Sequence, residues 1–187
     1  MTGYSRRCFL ALLSLIFISG CTPSPSPAGG ALLRQDFDAL VNWNGIVADG
    51  SPGALLSTDA AHSGRYAARV GGTVKYGLGF KAPLGQLIQR RPRALEISYW
   101  GYRSDASGAG ATLVCSITRP SSGKQFYWHA YNLSKAPARE RTWVQVKERI
   151  ELPAEADFSD VIAIYPWRGG KVGEALLDDL TLRALPE

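Results

Sequence analysis

Short segments of alternating apolar and polar residues dominate the chain, and helical periodicity is almost absent. The alternating segments lie at residues 65–70, 94–103, 111–118, 124–133, 142–152, 161–167 and 175–183. A period of two is typical of β-strands with one buried face. Clusters of Gly, Pro, Ser and Asp separate the segments, and a single turn at 84–88 is the one helical candidate. The pattern therefore predicts an all-β fold, an antiparallel β-sandwich or barrel.

The alternation also assigns side chains to faces. In segment 94–103, Leu95, Ile97 and Tyr99 share the predicted core face, and Trp100 and Tyr102 share the opposite face with Glu96. The predicted inward sets of three other segments are Leu113, Cys115 and Ile117; Val144, Val146, Ile150 and Leu152; and Leu176, Leu180 and Leu182 together with Asp178. One-sided strands favour a sandwich with a solvated outer surface.

The N-terminus has the features of an export signal. A basic start at residues 1–7 precedes an apolar run at 8–19, which is too short to span a bilayer and has the length of a signal-peptide core. Ile18-Ser19-Gly20-Cys21 follows and resembles the bacterial lipobox. That resemblance implies cleavage after Gly20 and acylation of Cys21, by palmitate for example, so residues 1–20 are predicted to be a lipoprotein signal peptide. The alternative is an ordinary secretory signal with a chance Cys.

The route and destination of export follow from neighbouring residues. Ser5-Arg6-Arg7-Cys8-Phe9-Leu10 resembles the twin-arginine signal, whereas the apolar core suits the general secretory route, and both stay open. Residues 21–30 form a Ser/Pro linker, and residues 31–187 form the predicted domain. Thr22 stands where an Asp would resemble an inner-membrane retention signal, so we expect a lipid-anchored protein of the bacterial cell envelope, in the outer membrane.

Composition limits the partners. The 187 residues carry a formal net charge of +5 without a run of Lys or Arg, so nucleic acid is not an expected partner. Three Cys cannot build a disulfide framework, and no C-x-x-C spacing exists. Cys115, the thiol left after modification of Cys21, is predicted to be a small core residue. The oligomeric state is left open.

Four motifs resemble one family of domains. They are Asp36-Phe37-Asp38 with Trp43, residues 61–67 (AHSGRYA), Trp143 with residues 150–154 (IELPA), and residues 177–182 (LDDLTL). In order and spacing, over about residues 34–183, they resemble jelly-roll carbohydrate-binding modules, whose fold is shared by galactose-binding-like domains. The resemblance implies a jelly-roll sandwich that binds a glycan or polysaccharide without catalysis. A structural or protein-docking module of the envelope is the alternative.

The same resemblance implies a structural calcium ion where the first and last strands meet. The corresponding positions are Asp38, the carbonyl of Arg65 or of its neighbour Gly64, and Asp178. Ca²⁺ takes six to eight oxygen ligands, and a carboxylate at the predicted core face of Asp178 needs a partner. The alternative is that Asp178 accepts hydrogen bonds from backbone amides or pairs with Arg65.

Aromatic side chains off the core are the candidates for sugar binding, because the C–H face of a sugar ring stacks on them. The candidate set is Trp100, Tyr102, Tyr127, His129, Tyr131 and Trp167. In segment 124–133 we predict Phe126 and Trp128 to face the core as the more apolar pair, with Tyr127, His129 and Tyr131 outward. If segments 94–103 and 124–133 share a sheet, these rings form one platform. The alternative is that the rings cap sheet edges or cover the linker.

Catalysis has little support in the sequence. The motifs of serine hydrolases, zinc proteases, P-loop proteins and dinucleotide-binding proteins are absent. Glu155, Asp157 and Asp160 lie in a loop and are interpreted as solvated charges. A small lyase or hydrolase, with His129 abstracting a proton beside Tyr127, Tyr131 and Arg103, is the remaining enzymatic alternative.

Overall fold

The computed structural model describes residues 30–45, 52–133, 139–170 and 173–186. The predicted signal peptide, Cys21 and the linker up to residue 29 lie outside these residues. Among the residues that are described, no helix has the length and hydropathy needed to cross a membrane.

The described chain consists of strands joined by turns. The strands are β1 (Ala31–Gln35), β2 (Trp43–Gly45), β3 (Leu56–Ser57), β4 (Ala67–Val70), β5 (Leu78–Pro83), β6 (Ala94–Arg103), β7 (Thr112–Arg119), β8 (Lys124–Asn132), β9 (Val144–Glu151), β10 (Val161–Trp167) and β11 (Ala175–Leu185). One helical turn, α1 (Leu84–Leu87), follows β5, and 3-10 turns lie at Pro52–Leu55 and Ala106–Gly110. Each of the seven predicted strands is present, and so is the single helical turn.

The strands form two antiparallel sheets. The six-stranded sheet has the order β3-β4-β11-β6-β9, with β1 also paired to β11. The five-stranded sheet has the order β2-β5-β10-β7-β8. The predicted antiparallel β-sandwich is thus confirmed. Strands β6 and β8 belong to different sheets, so the predicted single platform of Trp100, Tyr102 and the β8 aromatics does not form.

The core lies between the sheets, where the alternating apolar side chains meet. Leu95, Ile97 and Tyr99 of β6 are fully buried, and so are the inward residues of β7, as predicted. In β9, Val146 and Ile150 are buried, which confirms its predicted inward face. Burial raises the pKa of the Cys115 thiol to about 12, so this residue is an inert part of the core, as predicted.

A β-bulge in β11 overturns one predicted face. Residues Asp179 and Leu180, between Asp178 and Thr181, interrupt the pairing of β11 with β6, and Asp179 has a φ of 47°. Before the bulge, Leu177 pairs with Gly101 and belongs to the core cluster, while Leu176 pairs with Tyr102 and is buried outside that cluster. The prediction that Leu176 faces the core was therefore wrong, because a bulge adds one residue and reverses the alternation.

The same bulge places Asp178 on the outer face of the six-stranded sheet. Asp178 pairs with Trp100, so the two side chains leave the sheet on the same side, away from the core. Asp178 is nevertheless fully buried, because the turn at residues 62–63 covers it. Its predicted core-facing position was wrong. Leu180, in the bulge, and Leu182, which follows it, do face the core as predicted.

In strand β8, the residues predicted to face outward lie on the inner face of the sheet. Tyr127, His129 and Tyr131 pair with Ile117, Cys115 and Leu113, the inward residues of β7, so all three lie on the inner face of the five-stranded sheet. Tyr131 is 7% exposed, whereas Trp128 is 46% exposed. The apolar character of Trp128 misled the prediction, because both faces of this edge strand carry aromatic rings. Phe126, at a register shift between Gln125 and Tyr127, is half-buried and packs against the core as predicted.

The inward tyrosines of β8 connect the two sheets. The Tyr131 hydroxyl donates to the backbone carbonyl of Arg149 in β9 at 3.2 Å, and the Tyr127 hydroxyl lies 3.3 Å from that of Tyr131. The Tyr99 hydroxyl of β6 donates to the carbonyl of Asn132 at 3.0 Å. Burial raises the pKa of Tyr131 and of Tyr99, so both hydroxyls stay protonated donors. This side of the sandwich is closed by hydrogen bonds, and Tyr131 is a structural residue.

Asp160 is not a solvated charge, contrary to the prediction. Its side chain is fully buried and accepts hydrogen bonds from Arg119, at 3.1 and 3.0 Å, and from the Asp157 N–H at 2.8 Å. The hydrogen bonds from Arg119 lower the pKa of Asp160. This ion pair, in which Asp160 is buried and Arg119 is partly exposed, fixes the 153–160 loop against the end of β7.

Candidate glycan-binding cleft

A cleft of about 390 Å³ crosses the outer face of the five-stranded sheet. It is lined by Asn42, Asn44, Gly79, Lys81, Ser116, Thr118, Gln125, Val161, Ala163 and Tyr165. Its centre has a floor of small side chains, because Ala163 of β10 pairs with Ser116 of β7. An elongated ligand therefore has room to lie across the strands.

One cross-strand row runs through the floor of this cleft. Lys81 of β5 pairs with Ala163, Ala163 pairs with Ser116, and Ser116 pairs with Trp128 of β8. Residues paired across a sheet leave it on the same side. The row thus has an ammonium group at one end, an exposed indole at the other and two small side chains between them.

Aromatic rings gather along one side of the cleft. Tyr165 and Trp167 follow Ala163 on the outer face of β10, two residues apart. The Trp128 and Trp167 rings meet edge to face with their centres 5.8 Å apart, and the centres of Tyr76 and Tyr165 are 6.1 Å apart. Burial raises the pKa of the Tyr165 hydroxyl, which stays a protonated hydrogen-bonding group. Such rings suit the C–H faces of sugars.

Polar groups without carboxylates line the rest of the cleft. Asn42 and Asn44 provide amides at the β2 side, and Thr118 and Gln125 provide a hydroxyl and an amide at the β8 side. A neighbouring cavity of about 360 Å³ shares Asn42, Asn44 and Lys81 and continues past the β2–β5 pair. None of the described residues that line these two cavities is Asp or Glu.

Of the six predicted sugar-binding residues, Trp167 lies on this face. Trp100 and Tyr102 lie on the outer face of the other sheet, where the ring of His62 stacks on Trp100 with centres 3.8 Å apart and an angle of 15°. The Tyr102 ring packs 5.2 Å from that of Trp143. A turn residue thus covers Trp100. Tyr127, His129 and Tyr131 lie on the inner face of β8, as described above.

Sequence reasoning missed Asn44, Lys81 and the small floor residues of the cleft, and it missed Tyr76 and Trp128, which lie beside the cleft. The alternation of β10 carried a usable signal: Ile162 and Ile164 are inward, which places Ala163, Tyr165 and Trp167 together outside. The pairing of β10 between β5 and β7 could not be seen from the sequence, because no local pattern specifies which strands become neighbours.

The residues predicted to bind calcium gather at a turn on the six-stranded sheet. Asp38 accepts the N–H of Arg65 at 2.9 Å, and Asp178 accepts the N–H groups of His62 at 2.8 Å and Ser63 at 3.1 Å. The N–H of Asp179 also donates to Asp178, at 2.8 Å. This turn directs backbone N–H donors at both carboxylates. A calcium site would instead need the backbone carbonyl oxygens of the turn to point at the ion.

These residues, as arranged, do not fit a calcium site. The described ranges contain no group of three or more His, Cys, Asp or Glu side chains that could hold a metal ion. The contacts match the alternative in which Asp178 accepts hydrogen bonds from backbone amides. Calcium stays a prediction from resemblance, and a titration of the melting temperature with a chelator tests it.

Asp179 completes the polar cluster at this turn. Its carboxylate contacts Nδ1 of His62 at 2.5 Å and accepts a hydrogen bond from the Ser63 hydroxyl at 2.6 Å. The buried Asp178 beside it has its pKa raised to about 6, because burial penalises the charged form more than the N–H donors favour it. The cluster attaches the 61–67 motif to the 177–182 motif, so two of the four sequence motifs serve one structural contact.

Comparison with known proteins adds evidence on the fold. No family model matches the sequence, and no curated protein matches it. The xylan-binding domain CBM22-1 of Paenibacillus barcinonensis Xyn10C superposes with a TM-score of 0.56 at 17% identity, over 86% of this chain and 97% of that one. The fold of this chain is therefore similar to that of a carbohydrate-binding module. This confirms the fold part of the resemblance drawn from the four motifs.

Two further structures show the range of the fold. The C-terminal family 22 carbohydrate-binding module of Clostridium thermocellum Xyn10B gives a TM-score of 0.54 at 14% identity, over 83% of this chain and 93% of that one. The K3 cleaved adhesin domain of Lys-gingipain from Porphyromonas gingivalis gives a TM-score of 0.50 at 16% identity, over 83% of this chain and 98% of that one. Identities this low carry the fold and leave the ligand to be argued from the cleft itself.

Proposed function

We propose that residues 31–187 form a non-catalytic glycan-binding module and that the cleft on the five-stranded sheet is its binding site. The observation that carries the proposal is the cross-strand row with the exposed Trp128 indole beside a floor of small residues. An exposed indole gains apolar contact when a sugar ring covers it, and the neighbouring amides and hydroxyls hydrogen-bond to sugar hydroxyls. The xylan-binding domains that share the fold support this assignment.

The lining of the cleft favours binding over catalysis. Glycoside hydrolysis uses two carboxyl groups that flank the scissile bond. Asn42, Asn44 and Gln125 offer amides in the cleft, and its described lining contains no carboxylate. The proposal therefore assigns recognition, and not bond cleavage, to this site.

Replacing Trp128 with Ala tests the proposal. We expect Trp128→Ala to weaken glycan binding by about tenfold or more, as for an aromatic anchor of an interface. The melting temperature should move by about a degree or two, because Trp128 is an exposed residue. A glycan array identifies a ligand, and affinity electrophoresis then measures the change.

Phe158 supplies the matched control. It is 45% exposed, like Trp128, and it lies away from the cleft, beside Gly85. Phe158→Ala should leave glycan affinity unchanged. Equal losses in the two variants, or unchanged affinity in Trp128→Ala, would show that the cleft does not bind the glycan.

We further propose that the module is held on the cell envelope by a lipid on Cys21. The lipobox-like Ile18-Ser19-Gly20-Cys21 and the Ser/Pro linker support this proposal. Each buried acyl CH₂ contributes about 0.8 kcal/mol, so several chains anchor stably where one does not. Thr22 favours delivery to the outer membrane.

Cys21→Ser is expected to leave an unprocessed precursor that incorporates no labelled fatty acid, because the thioether and the cleavage both depend on the thiol. Metabolic labelling followed by electrophoresis measures both effects. Cys8→Ser, which changes a Cys inside the apolar run, is the control and should be labelled normally. Lipid labelling of the Cys21→Ser protein would contradict the anchor.

A further inference from the structure

Lys81 occupies the end of the cross-strand row opposite Trp128. Two small residues, Ala163 and Ser116, separate them along the row. Neighbouring strands lie about 4.8 Å apart, so three spacings place the backbones of Lys81 and Trp128 about 14 Å apart. A glycan chain that lies along the row from the indole therefore reaches the ammonium group.

The described lining of the cleft carries a positive charge, from Lys81, and no negative charge. Lys81 is exposed, and within the described part of the chain its ammonium makes no ion pair. Lys81 lines both the 390 Å³ cleft and the 360 Å³ cavity beside it, and the described lining of both lacks Asp and Glu. A concave surface with a cation and no anion attracts negatively charged ligands.

We propose that the cleft selects polysaccharides that carry uronic acid residues, with a uronate carboxylate at Lys81 and a sugar ring on Trp128. This inference rests on the proposed function and adds the chemical class of the ligand. A single exposed ion pair contributes little to affinity overall, so its effect is a preference between acidic and neutral polymers.

The experiment compares each polymer with its own carboxyl-reduced form. Glucuronoxylan and polygalacturonate, native and carboxyl-reduced, are the probes, and affinity electrophoresis of the folded domain is the measurement. We expect the wild-type domain to bind a native polymer about threefold to fivefold more tightly than the reduced form at low ionic strength. High salt should remove this preference, because exposed charges are screened.

Variants test whether Lys81 causes the preference for native over carboxyl-reduced polymers. Lys81→Gln should abolish it, and Lys81→Arg should retain it, since both cations attract a carboxylate. Lys147 is exposed on β9 of the other sheet, so Lys147→Gln is the control and should behave like the wild type. A preference that survives Lys81→Gln, or that Lys147→Gln also removes, would overturn the inference.

Failure of the inference and failure of the proposed function are distinguishable. Equal binding of native and reduced polymers by the wild type overturns the uronate preference, as does binding of none of the four probes. If Trp128→Ala still weakens binding to a reduced polymer or to an array glycan, the cleft remains the glycan site and its ligand is neutral.

Discussion

Replacing Gly64 with Ala is expected to lower the free energy of unfolding by about 2–4 kcal/mol. Gly64 has a φ of 59°, in the region that a Cβ disfavours. An added Cβ would also lie 1.4 Å from Oδ2 of Asp38, so Asp38 would have to move and release the N–H of Arg65. Chemical unfolding followed by tryptophan fluorescence measures the loss.

A substitution at Gly123 separates the cost of the positive φ from the cost of the clash with Asp38. Its φ is 67°, and an added Cβ meets nothing within 4 Å. Gly123→Ala should therefore cost about 1–2 kcal/mol, from backbone conformation alone. The double variant Asp38→Ala with Gly64→Ala should cost less than the two single changes together, because the clash is gone. A Gly64→Ala protein as stable as Gly123→Ala would show that Asp38 does not constrain this turn.

We expect the free energy of unfolding to decrease as the pH rises from about 4 to about 6, because of the ionisation of Asp178. Its pKa is raised to about 6 in the folded protein, from an ordinary value of 3.8. Between these values the unfolded chain has lost the proton while the folded protein keeps it, so ionisation favours unfolding as the pH rises. The difference of about two pH units between the two pKa values corresponds to a loss of at most about 3 kcal/mol in the free energy of unfolding. The loss is complete above about pH 6.

Asp178→Asn isolates this contribution from other carboxylates. The amide keeps an oxygen for the N–H groups of His62 and Ser63 and does not titrate. We expect the wild type to lose up to about 3 kcal/mol relative to Asp178→Asn between pH 4 and pH 7. Unfolding curves of both proteins at each pH measure the difference. A difference that stays constant across this range would contradict the raised pKa.

Most of the fold could be predicted from local pattern, because seven strands show a clear period of two. The faces of β6, β7 and β9 follow that period without interruption, and their inward residues are buried, apart from the half-buried Val144 of β9. Strands β1, β2, β3 and β5 were not predicted. Strands β2 and β3 are two or three residues long, too short for an alternation to stand out, and β5 contains Gly79 and ends at Pro83.

The candidate site was harder to predict, because it depends on irregularities and on strand neighbours. The bulge at Asp179 and Leu180 reverses the alternation within β11, and neither residue is the Gly that often marks such a bulge. In β8, Trp128 was assigned to the core by its hydrophobicity, and its position opposite Ser116 leaves it exposed. An apolar ring on an edge strand is informative about burial only when its cross-strand partners are known.

If the proposed lipid anchor holds many molecules side by side on one membrane, the position of β1 has a consequence for them. Strand β1 follows the linker and lies in the six-stranded sheet, whereas the cleft opens on the outer face of the five-stranded sheet, the opposite layer of the sandwich. No β1 residue lines the cleft, whereas Leu32 and Leu33 of β1 line the neighbouring cavity, so a tether attached through β1 would begin close to the Lys81 end of the site. Many copies anchored in one membrane would hold a single polymer together, and linked sites gain about 10²- to 10⁴-fold in avidity over one site. Retention of a polymer at the cell surface then needs only weak binding by each individual molecule.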